Sequence, residues 1–364
     1  MQIGTGKSLR RRAILLGSVG AGAAGIIGLD SRSARAAGIS LLETGSTMLY
    51  PLFNLWVAEY TRLNPGVRIT TQGTGSGTGI AQAISGIAEI GTSDAYMSNA
   101  QARRNPDILN IPLAISAQTV NYNLPGFNDT HLRLSGPVLA GIYSGKITHW
   151  NDPAIGAINP AAQLPARAIT PMHRTDGSGD TFIFTQYLAF STPVWANGVG
   201  FGTSISWPPI KGGIGAIGNP GMVQTSGQTR YSVAYIGVSF HDEIAKAGLG
   251  TAVLRNRAGN FVLPTSKTVG AAAAAVAERT PPDQRVSLVF GPGPNSYPIV
   301  NYEYAIVSRQ QPSAKVAATL RNFLTWAVDP KGGAAARFLD AVRFLPLPQK
   351  IAAQSMRQIT EIGA

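Results

Sequence analysis

No cysteine occurs among the 364 residues. That excludes disulfides, thiolate metal sites, a thiol nucleophile and a lipid-anchored N-terminal cysteine. Charge is sparse, at 13% of residues against 44% apolar, and 42 Gly with 24 Pro predict many turns rather than long solvated helices. Only four histidines are present. His131, His149 and His241 stand alone, without the spacing of a zinc or catalytic cluster, and read as structural. Neither a metal nor a cofactor is expected. After residue 36 no Lys/Arg cluster is interleaved with aromatics, so nucleic acid is not an expected partner. Beyond the N-terminus no apolar run approaches the length of a membrane span.

The N-terminus carries an address. Lys7, Arg10, Arg11 and Arg12 precede an apolar, Gly- and Ala-rich stretch from Ala13 to Leu29, and Ala34-Arg35-Ala36 offers a small-x-small cleavage site. Residues 1–36 read as an export signal of twin-arginine type, cut near Ala36-Ala37. Its removal takes away six Lys/Arg and one Asp, which lowers the formal charge from +12 to +7. A moderately basic mature chain suits an anionic partner.

The mature chain alternates strand, small-residue turn and helix, which argues an α/β fold. Ile39–Glu43 predicts a strand, 50–63 an amphipathic helix, 67–71 a strand, and a second helix begins near Ile80. Further strands are expected at 88–92, 111–120, 169–173, 231–236 and 297–307. Helices are expected at 137–143, 271–278, 313–328 and 331–341. The Gly-, Pro- and Trp-rich stretch 191–232 reads as irregular loops. In such sheets ligands bind beyond the carboxyl ends of the strands, so the turns 45–48, 75–78 and 92–94 can meet.

Two nucleotide loops fail on spacing. Gly73 to Gly79 lacks glycine at the sixth place of a dinucleotide fingerprint. Gly141 to Lys146 is one residue short of a phosphate loop, and Ile147 replaces the hydroxyl residue. Trp150, Trp207 and Trp326 read as packing residues. The most informative stretch is His173-Arg174-Thr175-Asp176-Gly177-Ser178-Gly179-Asp180-Thr181-Phe182. A glycine-rich turn before a helix leaves backbone N–H groups free for an anion, and Arg174 adds a permanent cation. Asp176 and Asp180 repel an anion unless it carries a proton, so phosphate is the anion that fits. An esterase with Ser178 as nucleophile and His173 as base is the rival, although a nucleophile elbow needs glycine two places either side of the serine, where Asp176 and Asp180 stand.

Thr44-Gly45-Ser46-Thr47-Met48, Gln72 to Gly77, Ile90 to Asp94, Tyr143 to Asp152, His173 to Phe182, Val233 to Gly237 and Asn301 to Val307 occur in one order along the mature chain. Together they resemble the periplasmic phosphate-binding proteins of bacterial high-affinity phosphate ABC transporters. The resemblance implies a type II periplasmic binding fold, with two α/β lobes joined by crossing strands near 117–121 and 298–302 and a ligand cleft between them. One lobe would be 37–117 plus 302–364, the other 118–301. It implies a monomeric phosphate carrier in the periplasm, not an enzyme, that serves a membrane permease. Thr47 and the N–H of Met48 match the first anion contact, Ser76 the second hydroxyl, with Gly77 adding an N–H. Asp94 matches the acceptor of the phosphate proton, Arg174 the guanidinium contact, and Asp176 the acid bracing it. Ser178, Gly179 and position 180 match contacts at the third helix start. Two residues depart from the pattern. Met48 stands where many members have Phe, and Asp180 where many have Thr. Thr181 is expected to supply the missing hydroxyl, or Asp180 to accept a second proton. A different oxyanion, such as sulfate, molybdate or a phosphonate, remains the nearer alternative.

Overall fold

The computed structural model describes residues 38–364. The expected export signal lies outside the described residues.

Strand Ile39–Gly45 pairs in parallel with Val67–Gln72 on one side and Ile90–Ser93 on the other. The connections run through the helices Tyr50–Leu63 and Ser76–Ile84, the expected alternation. Strand Val300–Ser308 then joins the edge of Ile90–Ser93 in antiparallel fashion and pairs along its length with the 16-residue strand Ile108–Asn123. Only part of that long strand belongs to this first lobe. Its far end, Gln118–Asn123, pairs with Ser232–Gly237, which passes the sheet on to Thr170–Arg174 and Ile214–Ala216. The chain therefore crosses between two α/β lobes on two neighbouring strands, and Gln118 N–H donates to Ile299 O at 3.0 Å where they meet. Parallel strands end at Gly45, Gln72 and Ser93 in one lobe and at Arg174, Ala216 and Gly237 in the other.

The first helix shows why the C-terminal segment returns to the first lobe. Leu52, Phe53, Trp56 and Tyr60 form its buried face. Phe53, Trp56 and Tyr60 pack edge-on or tilted against Phe323 and Trp326 of the helix Ala314–Val328. Each such ring contributes roughly 1.5–3 kcal/mol by burial. Trp56 Nε1–H also donates to Gly333 O at 2.8 Å.

Several short elements are unexpected, among them the helices Asn99–Arg104 and His241–Lys246, and two longer stretches differ from expectation. Within 191–232 the structure has the strand Ile214–Ala216 and the helices Pro193–Gly198 and Gly218–Gln228. Glycine and proline weaken helix propensity in that last segment, but burial of Met222 and Val223 overrides the local preference. The helix expected at 331–341 shrinks to Ala336–Leu339 followed by one 3₁₀ turn. An unexpected helix, Gln349–Thr360, comes after it. Its inner face carries Gln354, Ser355 and Gln358, which bond into the strand below: Gln358 Nε2–H donates to Asn110 O at 3.0 Å and Ser355 Oγ–H to Pro112 O at 2.8 Å. Ile351 and Ile359 share that face, but the buried glutamines and serine between them replace the apolar residues by which such a helix is read.

Candidate functional site

Three turns of the first lobe meet three of the second. After strand Ile39–Gly45, Ser46 closes a tight turn, its Oγ accepting from Leu49 N–H at 2.9 Å while donating to Asp94 Oδ1. From the second turn, Ser76 Oγ donates to Asp94 Oδ2 at 3.2 Å and accepts from Asp94 N–H at 3.1 Å. Asp94 is 2% exposed. Burial first, then the charge of Asp180, push its carboxyl up to about 7, against the serine hydroxyl and Arg174. Ser46 is not among the expected site residues, although it lies inside the first motif.

In the second lobe, strand Thr170–Arg174 delivers Arg174, 3% exposed. Its Nε–H donates to Asp176 Oδ1 at 2.7 Å, Nη2 pairs with Asp176 Oδ2, and Nη1 donates to Asp180 Oδ2 at 2.7 Å. Burial opposes this cation, yet the two acids hold it above its ordinary value. Burial likewise raises Asp180, against Arg174, Gln118 and Asn219, whereas Asp176, also raised by burial, is pulled below the usual range by Arg174. Gln118 Nε2–H donates to Asp180 Oδ1 at 2.9 Å and Asn219 Nδ2–H to Asp180 Oδ2 at 2.8 Å.

The helix Gly179–Ser191 starts here, with Ser178 Oγ accepting from Thr181 N–H at 3.1 Å. Gly179 and Asp180 N–H have no carbonyl one turn back in the helix. Gly179 lies directly against Asp94 and Ser76 across the cleft: an added Cβ would overlap Asp94 Oδ2 and Ser76 Oγ and stand 2.7 Å from Asp94 Cβ. The lobes touch elsewhere too. Thr47 Oγ1 accepts from Asn219 N–H at 3.2 Å and Nδ2–H at 3.0 Å, and Ser239 Oγ–H donates to Met48 O at 2.7 Å.

Thr47, Ser76, Asp94, Arg174, Gly179 and Asp180 thus gather around one closed cleft. Three other residues are engaged differently. Gly77 N–H donates to Gly177 O at 2.8 Å, a lobe-to-lobe bond rather than a free anion donor. Thr181 Oγ1 pairs with Tyr235 OH at 2.8 Å. Met48 packs its side chain against Gly237, so only its backbone reaches the turn. The esterase alternative loses its base, since the His173 ring packs on Trp207 at 5.2 Å and Ser178 caps a helix. Among the described residues no group of three or more His, Cys, Asp or Glu side chains is arranged to hold a metal, and no helix is long and apolar enough to cross a membrane.

Residues 31–331 match the PBP superfamily domain. The chain is 34% identical to a phosphate-binding protein PstS of Methanocaldococcus jannaschii, over 82% of this chain and 80% of that protein. It is 33% identical to a phosphate-binding protein PstS of Pasteurella multocida, over 86% and 87% respectively. The fold is shared with a high affinity periplasmic phosphate-binding protein, PfluDING, solved with phosphate (22% identity, TM-score 0.68, covering 86% of this chain and 92% of that one). It is shared also with a phosphate-binding protein from Stenotrophomonas maltophilia (18% identity, TM-score 0.64, 88% and 94%).

Proposed function

The chain belongs to the PBP superfamily, among the PstS phosphate-binding proteins, and we propose that its cleft captures one inorganic phosphate ion for delivery to a membrane permease. The family is one of substrate-binding proteins of ABC transport, not of enzymes, and its two-lobed architecture is the type II periplasmic binding fold.

The observation that carries the reading is Asp94, a carboxyl buried between two serine hydroxyls where the lobes close on each other. The cation Arg174 is already balanced by Asp176 and Asp180, so an entering anion is solvated by neutral donors. The Thr47 and Ser178 hydroxyls and the N–H groups of Met48, Gly179 and Asp180 fill that role, joined by the Ser76 hydroxyl once it turns from Asp94 to the ligand. Thr181 and Gly77 support the walls, and Asp176 fixes the Arg174 fork. Phosphate keeps a proton near neutrality and donates it to Asp94. Sulfate carries none there and would set an oxygen lone pair against the carboxylate. A site built around such a donor rejects the analogue lacking it by about 10⁴–10⁵.

The lobes are assigned as 37–117 with 302–364, and 118–301. Hinging at the two crossing strands would open and shut the cleft, giving the permease a surface that differs with ligand. The carrier works as a monomer in the periplasm, after cleavage near Ala36-Ala37. Titration calorimetry tests the reading. The native protein should bind phosphate at least ~10⁴-fold more tightly than sulfate, and Asp94→Asn should cut that ratio by roughly 10- to 100-fold, the scale of one lost hydrogen bond to a charged group. Equal discrimination in the two proteins would remove Asp94 from the mechanism, and tighter sulfate than phosphate would favour the other-oxyanion reading.

A further inference from the structure

A second buried acid stands behind Asp94. Strands Ile90–Ser93 and Val300–Ser308 run antiparallel with Ser93 opposite Tyr304, so the next step of that register sets Asp94 beside Glu303, where facing side chains are neighbours. The pairing with Ile108–Asn123 shifts at this point: Glu303 faces Ala114 and Tyr304 faces Pro112, leaving Leu113 between. Proline has no N–H for the ladder, and a bulge of this kind re-aims the adjoining side chain.

Glu303 is fully buried, at 0% exposure. Its Oε1 accepts from Ser116 Oγ–H and from Asn301 Nδ2–H, the latter at 3.1 Å. Its Oε2 is buried without a donor among the described residues. The Asn301 Nδ2 amide that donates to Glu303 Oε1 also donates to Asp94 O at 3.2 Å, which with the strand register makes the two acids buried neighbours. Two ionised carboxylates buried side by side only accept and repel, and one proton held between them removes that repulsion. With both donors on Oε1, the proton belongs on Oε2. Burial, then the Asp94 charge, hold Glu303 well above the usual carboxyl range. The other charged groups acting on Asp94 are Asp180, which raises its pKa, and Arg174, which lowers it.

Resting on the phosphate reading, we propose that Glu303 is a positioning residue that stays protonated, donates its single proton to Asp94, and so keeps Asp94 ionised as the acceptor for the ligand's proton. The proton between the two carboxyls stays with Glu303, which leaves Asp94 lone pairs free on the ligand side. Phosphate recognition then depends on a group that never touches phosphate.

Two readouts test this. Infrared spectra of the ligand-free protein at neutral pH should contain a protonated-carboxyl C=O band that Glu303→Gln removes and Asp94→Asn retains. In calorimetry, Glu303→Leu, which cannot donate, should weaken phosphate by about 10- to 100-fold. Glu303→Gln, whose amide can donate to Asp94, should recover most of that loss. A C=O band unaffected by Glu303→Gln, or a Leu variant that binds as tightly as the native chain, overturns the proposal. If the native protein binds no phosphate at all, the reading of the site fails, while the infrared result still judges where the proton resides.

Discussion

Arg174 Nη1 donates to Asp180 Oδ2 at 2.7 Å, while Asp176 holds the other two nitrogens of the same guanidinium. The only cation in this constellation is thus neutralised by the protein itself. Affinity for an anion must come from dipoles and from the proton that the anion carries. Asp180, where the resemblance leads one to expect a hydroxyl, adds a buried carboxylate to the guanidinium's surroundings.

Asp180→Asn should therefore raise sulfate affinity by at least ~10-fold, since a unit charge about 4 Å away is worth several kcal/mol at the effective dielectric of a protein site. The same change breaks a buried ion pair with Arg174 and should lower stability by roughly 3 kcal/mol. Sulfate titration and urea unfolding on one preparation measure both. Unchanged sulfate binding would mean that the Asp180 charge is not felt at the anion site.

Arg174→Lys keeps the charge and loses the fork. An ammonium cannot hold both oxygens of Asp176 and reach Asp180 as well. Phosphate affinity should fall by ~100-fold or more, equivalent to about 3 kcal/mol, with the unfolding midpoint lowered too. A Lys variant that binds as the native chain does would show that charge alone, not the fork, serves the site.

Much of the site was legible in the sequence, and the misses share a cause. Arg174 and Asp176 are two residues apart at a strand end, so their pairing is local, and the helix start at Ser178 announces itself by its cap. Thr47, Ser76 and Asp94 could be gathered because each follows a parallel strand. Asn219 could not. It lies in a stretch that reads as loop, and it reaches Thr47, 172 positions away, only because Gly218 adopts a φ of +65° before an unexpected helix. The partners of Asp180 are also distant, with Gln118 62 positions upstream. Glu303 was visible only as part of a strand. Its place beside Asp94 follows from strand register and a bulge, which local pattern does not encode.

Glu43 gives a pH dependence with a definite sign. It is fully buried, accepts from Thr92 Oγ1–H at 2.5 Å and from Thr71, and burial pushes it from 4.5 up to about 7 against those bonds. Between these values the folded chain holds a proton that the unfolded chain has lost, so stability falls as pH rises. The contribution is complete below the unfolded value and gone above the folded one, on the order of 3 kcal/mol. Glu303, held well above the usual carboxyl range by burial and then by the Asp94 charge, acts in the same direction. Urea midpoints of the ligand-free protein should drop between pH 5 and pH 8, both chosen as roughly bracketing that window, and Glu43→Gln should flatten the drop. A slope unchanged by Glu43→Gln would assign the effect elsewhere.

Gly179→Ala separates closure from folding. The three atoms nearest an added methyl all lie across the cleft. Its collisions are with Asp94 and Ser76, which belong to the other lobe and press on Gly179 only when the cleft is shut. Within its own helix the change is favourable, because alanine is a better helix former than glycine by about 1 kcal/mol. Stability should therefore hold or rise slightly, whereas phosphate affinity should fall by ~100-fold or more, since the closed state that completes the site is penalised by several kcal/mol. Small-angle scattering with saturating phosphate should show the variant more extended than the native chain. If the variant binds phosphate normally and compacts normally, the contact between Gly179 and Asp94 does not define the bound state, and phosphate is held with the lobes further apart.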